Sequence, residues 1–131
     1  MNAEIISVGT ELLLGAVVNT DTAIVARALS ELGIDLMHTC VVGDNPRRLK
    51  EAVEGAIARS GLLIMTGGLG PTTDDLTKET TAAAAGKKLV LHEESLRRIE
   101  NYFNEKHVSE NQAKQAWLPE GCHVLQNDNG T

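Results

Sequence analysis

The sequence predicts an α/β sandwich built on a mainly parallel sheet. Three observations predict it. Apolar runs of strand length alternate with stretches of helical periodicity in the order βαβαβα. Glycines punctuate the ends of these segments. The chain holds only three aromatic residues, Tyr102, Phe103 and Trp117, so its core must be built from Leu, Ile, Val and Ala.

Ile5-Ile6-Ser7-Val8 reads as a first buried strand that ends at Gly9. Residues 9–19 read as a loop with an apolar middle, Leu12-Leu13-Leu14. Asn19 or Thr20 is placed to cap a helix over Asp21–Leu32, whose apolar stripe is Ile24, Val25, Ala28, Leu29 and Leu32. Ile34–Val42 reads as a second strand. Asn45 as cap and Pro46 at the first helical position start a helix that runs to Arg59. Leu62–Thr66 is the third strand and Leu76–Ala85 a short helix. Lys88–Leu91 reads as a short strand or extended chain, Glu93–Lys106 as a helix and Ser109–Ala116 as another short helix. Cys122–Gln126 is predicted as a late strand.

At 131 residues the chain is one domain, long enough to bury a core. Its formal charge of −6 argues against a nucleic-acid binder, which needs a basic face. The scarcity of aromatics removes base stacking as a device. Cys40 and Cys122 stand far apart without a zinc pattern, which fits a reducing, cytoplasmic setting. No apolar run approaches a membrane span and no signal peptide is evident.

The chemistry concentrates at the junction between the third strand and the helix after it, Thr66-Gly67-Gly68-Leu69-Gly70-Pro71-Thr72-Thr73-Asp74-Asp75. Glycine lets the backbone approach an anion closely, and a helix start offers unpaired N–H donors. Asp74 and Asp75 beside such a cradle are placed to hold a divalent cation that ligand phosphates share. A phosphate-bearing small molecule bound with a metal is therefore the expectation. The plainer reading makes Gly67-Gly68 a tight turn and Asp75 a helix cap, although three glycines exceed what such a turn needs. A sheet order beginning 2-1-3 would set Gly9-Thr10-Glu11 beside Thr66-Gly67-Gly68, at the carboxyl ends where such sheets bind ligands. Common motifs are absent. There is no phosphate loop ending in Gly-Lys-Ser/Thr and no G-x-S-x-G elbow. Thr73 stands where a dinucleotide fingerprint needs its third glycine, and His92-Glu93-Glu94 lacks the second histidine of a zincin.

A series of segments carries a resemblance across essentially the whole chain. It runs through Ser7-Val8-Gly9-Thr10-Glu11-Leu12-Leu13-Leu14-Gly15, Val18-Asn19-Thr20, Val42-Gly43-Asp44-Asn45 and the Thr66–Glu79 stretch. It closes on Asn111, Lys114-Gln115-Ala116 and Leu118-Pro119. This series resembles the amino-terminal domain of the competence/damage-inducible CinA family, within the molybdopterin-binding superfamily of molybdenum-cofactor biosynthesis. The resemblance implies a three-layer α/β/α fold. It implies metal-dependent hydrolysis of ADP-ribose to AMP and ribose 5-phosphate. The alternatives are a non-catalytic molybdopterin or nucleotide-binding module, or an activity like that of a molybdopterin adenylyltransferase. It implies Thr66, Gly67, Gly68 and Gly70 as the phosphate cradle, with Thr10, Asn111 and Lys114 also reaching the ligand. Asp75 is implied as the leading metal or catalytic residue, with Asp74 and Glu11 as companions. Relatives self-associate, so a homo-oligomer is implied. Family members continue through a further turn, strand and helix, so the resemblance implies a domain truncated at its carboxyl end. Many full-length members also carry a deamidase domain, for which 131 residues leave no room.

Overall fold

The computed structural model describes residues 1–130. The central strand β1 (Asn2–Val8) is flanked by β2 (Asp35–Val42) and β3 (Leu62–Thr66), both parallel to it, in the order β2-β1-β3. This is the order that sets the ends of β1 and β3 side by side. Six consecutive residues of β1, Ala3 to Val8, are buried, because helices cover both faces of the sheet. Side chains alternate between the faces. Ile6 and Val8 pack with Leu49, Val53 and Ala56 of α3 (Pro46–Arg59), and with Leu76 and Ala84 at the ends of α4 (Thr77–Ala84). Ala3 and Ile5 pack on the other face with Val25 and Leu29 of α2 (Thr20–Glu31). The result is three layers, α/β/α.

Local signals placed the helix starts. The Asn19 side chain accepts from the Thr22 N–H at the start of α2. Asn45 accepts from the Arg48 N–H, with Pro46 at the first position of α3. Each such cap contributes about 1 kcal/mol. One helical turn, α1 (Thr10–Leu13), lies in the segment predicted as a loop.

The second half differs from expectation at one element. Residues 122–126 are not a strand, and Leu125 is 89% exposed. Trp117–Pro119 forms β5 instead and pairs antiparallel with β4 (Leu89–Leu91). All three residues of β4 find their partners in β5, so the side of β4 that is paired is taken by Trp117–Pro119 and not by the later segment. Helix α5 (Glu93–Phe103) ends at Asn104, in the left-handed region at φ 53°. The short α6 (Glu110–Ala113) is started by a capping box between Ser109 and Gln112. It runs directly into a 3-10 turn over Lys114–Ala116. No helix among the described residues is long and apolar enough to cross a membrane.

One charged group sits inside the sheet. Glu4 on β1 is 2% exposed and faces α3, where the Arg59 guanidinium donates to both carboxylate oxygens at 2.7 and 2.8 Å. The Ser60 hydroxyl donates to the same carboxylate. The Arg59 hydrogen bonds outweigh burial and hold the Glu4 carboxyl below its ordinary range. Glu4 therefore takes up a proton more readily when unfolded, so its contribution to stability is complete above the ordinary carboxylate range. That contribution is lost as pH falls toward the lower folded value. Thermal melts of the wild type are expected to drop steeply through this acid window. In Glu4→Gln the drop should be shallower. Equal slopes in the two proteins would remove Glu4 from this role.

Candidate functional site

The carboxyl ends of the three parallel strands gather three loops. The Gly9 N–H donates to the Val42 carbonyl at 2.9 Å, which ties the first loop to the end of β2. Thr10 and Asp44 hold each other reciprocally: the Asp44 N–H donates to Thr10 Oγ1 at 3.0 Å, and the Thr10 N–H donates to Asp44 Oδ2 at 3.4 Å. The Glu11 carboxylate folds back over Gly9, close to where a Cβ would stand. Ser7 and Thr66 are register partners on β1 and β3, so the first loop and the glycine loop leave adjacent strand ends.

Beneath these loops, buried Ser7 is a polar hub. Its hydroxyl meets Asn19 Nδ2, Thr22 Oγ1 and Thr66 Oγ1, each at 3.1 Å. Thr66 is thereby turned into the sheet network. A serine inside the run Ile5-Ile6-Ser7-Val8 is the sequence signal for this hub, since a buried hydroxyl needs partners.

Gly67 and Gly68 both adopt left-handed backbone, at φ 77° and 64°. Space forbids a side chain at either. A Cβ on Gly67 would overlap the Val8 carbonyl oxygen, and one on Gly68 would overlap Thr77 Oγ1. Thr77, the buried first residue of α4, pins the pair from the helix side. Its hydroxyl donates to the Gly67 carbonyl at 2.8 Å and its N–H to the Gly68 carbonyl at 3.2 Å. Thr77 was not singled out from sequence, because its partners are nine and ten residues earlier and become neighbours only through the loop's fold.

Asp75 clamps the distal half of the loop and does not cap the helix; Leu76 occupies the cap position and makes no side-chain cap bond. Asp75 Oδ2 accepts from the Thr72 hydroxyl at 2.6 Å and from the Thr72 N–H at 3.0 Å. The Thr72 hydroxyl is the largest cause that keeps the Asp75 carboxyl below its ordinary range. The Thr72 and Gly70 N–H groups and the Lys114 charge add to it, against an opposing effect of burial. Gly70 leaves room for this carboxylate: a Cβ there would stand 2.7 Å from Asp75 Oδ2. Asp74 is exposed, with no hydrogen bond recorded among the described residues.

Lys114 lies against the loop from the second half of the chain. Its ammonium donates to the Thr72 carbonyl at 2.6 Å and to the Asp75 carbonyl. Gln115 Nε2 donates to the Leu69 carbonyl at 3.3 Å. Lys78 of α4 donates to the Lys114 carbonyl at 2.5 Å. Burial is the main cause that pushes the Lys78 ammonium below its ordinary value, and Glu79 pulls it back up. The Glu79 carboxylate lies 3.6 Å from the Lys78 ammonium and 3.9 Å from that of Lys114. Asn111 is exposed on α6, with no hydrogen bond to the loop among the described residues.

The acidic side chains do not converge on one ion. No three His, Cys, Asp or Glu side chains among the described residues are placed to hold a metal together. Glu11, Asp74 and Asp75 therefore do not form a cage made of protein ligands alone. The groove of about 590 Å³ between α5 and residues 124–130 shares only Gln115 with the loop described above.

A parallel three-layer α/β domain with a glycine loop and helix start at its strand carboxyl ends is the class of protein defined here. The comparisons give the particular family. The family model described as "Probable molybdopterin binding domain" matches residues 4–125. A CinA-like protein of Dictyoglomus thermophilum is 54% identical over 133 residues, covering 100% of this chain and 32% of its own length. The crystal structure of CinA from Thermoplasma acidophilum superposes with a TM-score of 0.91 at 33% identity, over 98% of this chain and 76% of that one. The molybdopterin biosynthesis enzyme MoaB of Thermus thermophilus, at 16% identity and a TM-score of 0.63 over 90% of this chain and 78% of its own, shares the fold. The chain belongs to the molybdopterin-binding domain family, among its CinA-like members. It spans about a third of the length of the curated relatives it matches.

Proposed function

We propose that this domain binds a phosphate-bearing small molecule, a pterin or a nucleotide, on the amide face of the loop from Gly67 to Leu76. One observation carries the reading. The Gly67 and Gly68 carbonyls are tied to Thr77, while the N–H groups of Gly68, Leu69, Thr73 and Leu76 have no protein acceptor recorded among the described residues. A loop whose Gly67, Gly68, Leu69, Thr72 and Asp75 carbonyls are engaged while these four N–H groups are left over, leading into an eight-residue helix, favours an anion. Membership of the molybdopterin-binding family supports a pterin-like or nucleotide-like ligand.

A second reading rests on Asp74, whose exposed carboxylate beside the loop has no partner recorded among the described residues. Magnesium bound through ligand phosphates needs only one or two carboxylates, so a divalent cation enters as a companion of the ligand. Hydrolysis of ADP-ribose to AMP and ribose 5-phosphate is the reaction to assay under that reading. Asp75 is poorly suited to take a proton from water, because its carboxylate is held ionised by the Thr72 hydroxyl and by neighbouring donors.

Calorimetric titration with a pterin phosphate, AMP and ADP-ribose tests the binding. Product analysis with magnesium and manganese tests the turnover. Saturable binding without AMP release is the expected result. Release of AMP would establish the second reading. Absence of binding by every probe would overturn both.

A further inference from the structure

Among the described residues, the hydrogen bonds of Lys114 and Gln115 to the glycine loop all go to its carbonyls, and this bears on which way the loop's amides face. Every peptide bond among the described residues is trans. In a trans peptide plane the carbonyl of one residue and the N–H of the next point in opposite directions. Gln115 draws the Leu69 carbonyl toward the 114–116 turn, so the Gly70 N–H points away from it. Lys114 draws the Asp75 carbonyl and, together with the Asp75 N–H at 3.2 Å, the Thr72 carbonyl, so the Thr73 and Leu76 N–H groups point away from Lys114 as well.

We infer that Lys114 and Gln115 form a latch that orients the loop and so presents the Thr73 and Leu76 N–H groups to the ligand phosphate. They are positioning residues, acting through the loop backbone. The inference rests on the binding reading above and names the donors within it.

The latch is itself fixed. The Ser109–Gln112 capping box starts the helix that leads to it, and fully buried Ala116 ends the turn, its carbonyl accepting from the His92 N–H at 2.8 Å. Lys78 of α4 donates in turn to the Lys114 carbonyl, so the helix that follows the loop also holds the turn. Glu79 balances the two ammoniums. With the Lys114 head on two carbonyls, its charge is partly spent on the loop, in an arrangement where backbone dipoles carry the ligand recognition.

The experiment uses inorganic pyrophosphate as probe and compares wild type, Lys114→Met, Lys114→Arg and Gln115→Ala. Carbonyl ¹³C shifts of Thr72 and Asp75 and ¹⁵N relaxation of residues 70–76 are read without ligand. Lys114→Met is expected to move both carbonyl shifts and loosen the loop, leaving the β1 amides unchanged. Its pyrophosphate affinity should fall roughly 10- to 100-fold, the scale of a lost charge-assisted hydrogen bond. Lys114→Arg, which still donates to carbonyls, should recover most of that loss. Gln115→Ala should weaken binding several-fold although it removes no charge. Lost affinity in Lys114→Met with unmoved carbonyl shifts and relaxation would make Lys114 a direct ligand contact and overturn the latch. Wild-type affinity in both Lys114→Met and Gln115→Ala would also overturn it. If wild type binds no pyrophosphate, the binding reading fails for this probe, and the ligand-free carbonyl and relaxation data still decide the latch.

Discussion

Gly67→Ala is expected to destabilise the fold by about 3 kcal/mol and to abolish ligand binding at the loop. Two costs add. The first is left-handed backbone at φ 77°, which an L side chain adopts at a penalty of roughly 1–2 kcal/mol. The second is steric: the new methyl would overlap the Val8 carbonyl oxygen on the central strand. Val8 is buried at the end of β1 and its neighbours are close-packed, so the strand has little freedom to retreat. The loop must therefore move, taking the Gly68 and Leu69 amides with it. Chemical denaturation measures the first effect and calorimetry the second. Gly15→Ala is the matched control. Gly15 is also left-handed, at φ 71°, but nothing lies within 4 Å of a Cβ there. It should show only the backbone cost and keep binding. Equal behaviour of the two variants would mean that the Gly67 cradle is not packed against β1 as described.

Asp75→Ala is expected to weaken ligand binding by roughly 10- to 100-fold, and Asp75→Asn by only a few-fold. Two effects oppose each other. Removing a negative charge beside an anion site favours binding. Removing the acceptor of the Thr72 hydroxyl and N–H releases the loop, which disfavours it. The second effect is larger in alanine, because Lys114 already offsets the Asp75 charge and the loop loses both bonds at once. Asparagine keeps a carbonyl oxygen able to accept from Thr72 while losing the charge, so it separates the two. Calorimetric titration of both variants checks this. The same pair bears on catalysis. If AMP release is observed in wild type and lost in Asp75→Asn with affinity kept, the carboxylate takes part in the reaction in addition to clamping the loop.

The parts of the fold legible in the sequence are those fixed by short-range chemistry. Asn19 and Asn45 cap their helices because their side chains reach N–H groups three residues on. The apolar run Ile5-Ile6-Ser7-Val8 reads as a buried strand because both faces of β1 are covered. Alternating strands and helices made a parallel sheet with right-handed crossovers legible, but they did not choose the order β2-β1-β3. What escaped depends on distant partners. Trp117–Pro119 is a weaker strand signal than Cys122–Gln126, yet it is the segment that meets the edge of Leu89–Leu91. Gln115 reaches Leu69 across 46 residues, which no local pattern announces. Asp75 was placed correctly in the glycine loop, but its partner is Thr72 three residues earlier and not the helix that follows.

The most direct test is titration of ¹⁵N-labelled protein with ADP-ribose, following every backbone amide. The account predicts saturable shifts centred on Gly68, Leu69, Thr73 and Leu76, reaching completion at one equivalent per chain. Shifts confined to the groove between α5 and residues 124–130, or no saturable shifts in the loop, would contradict it.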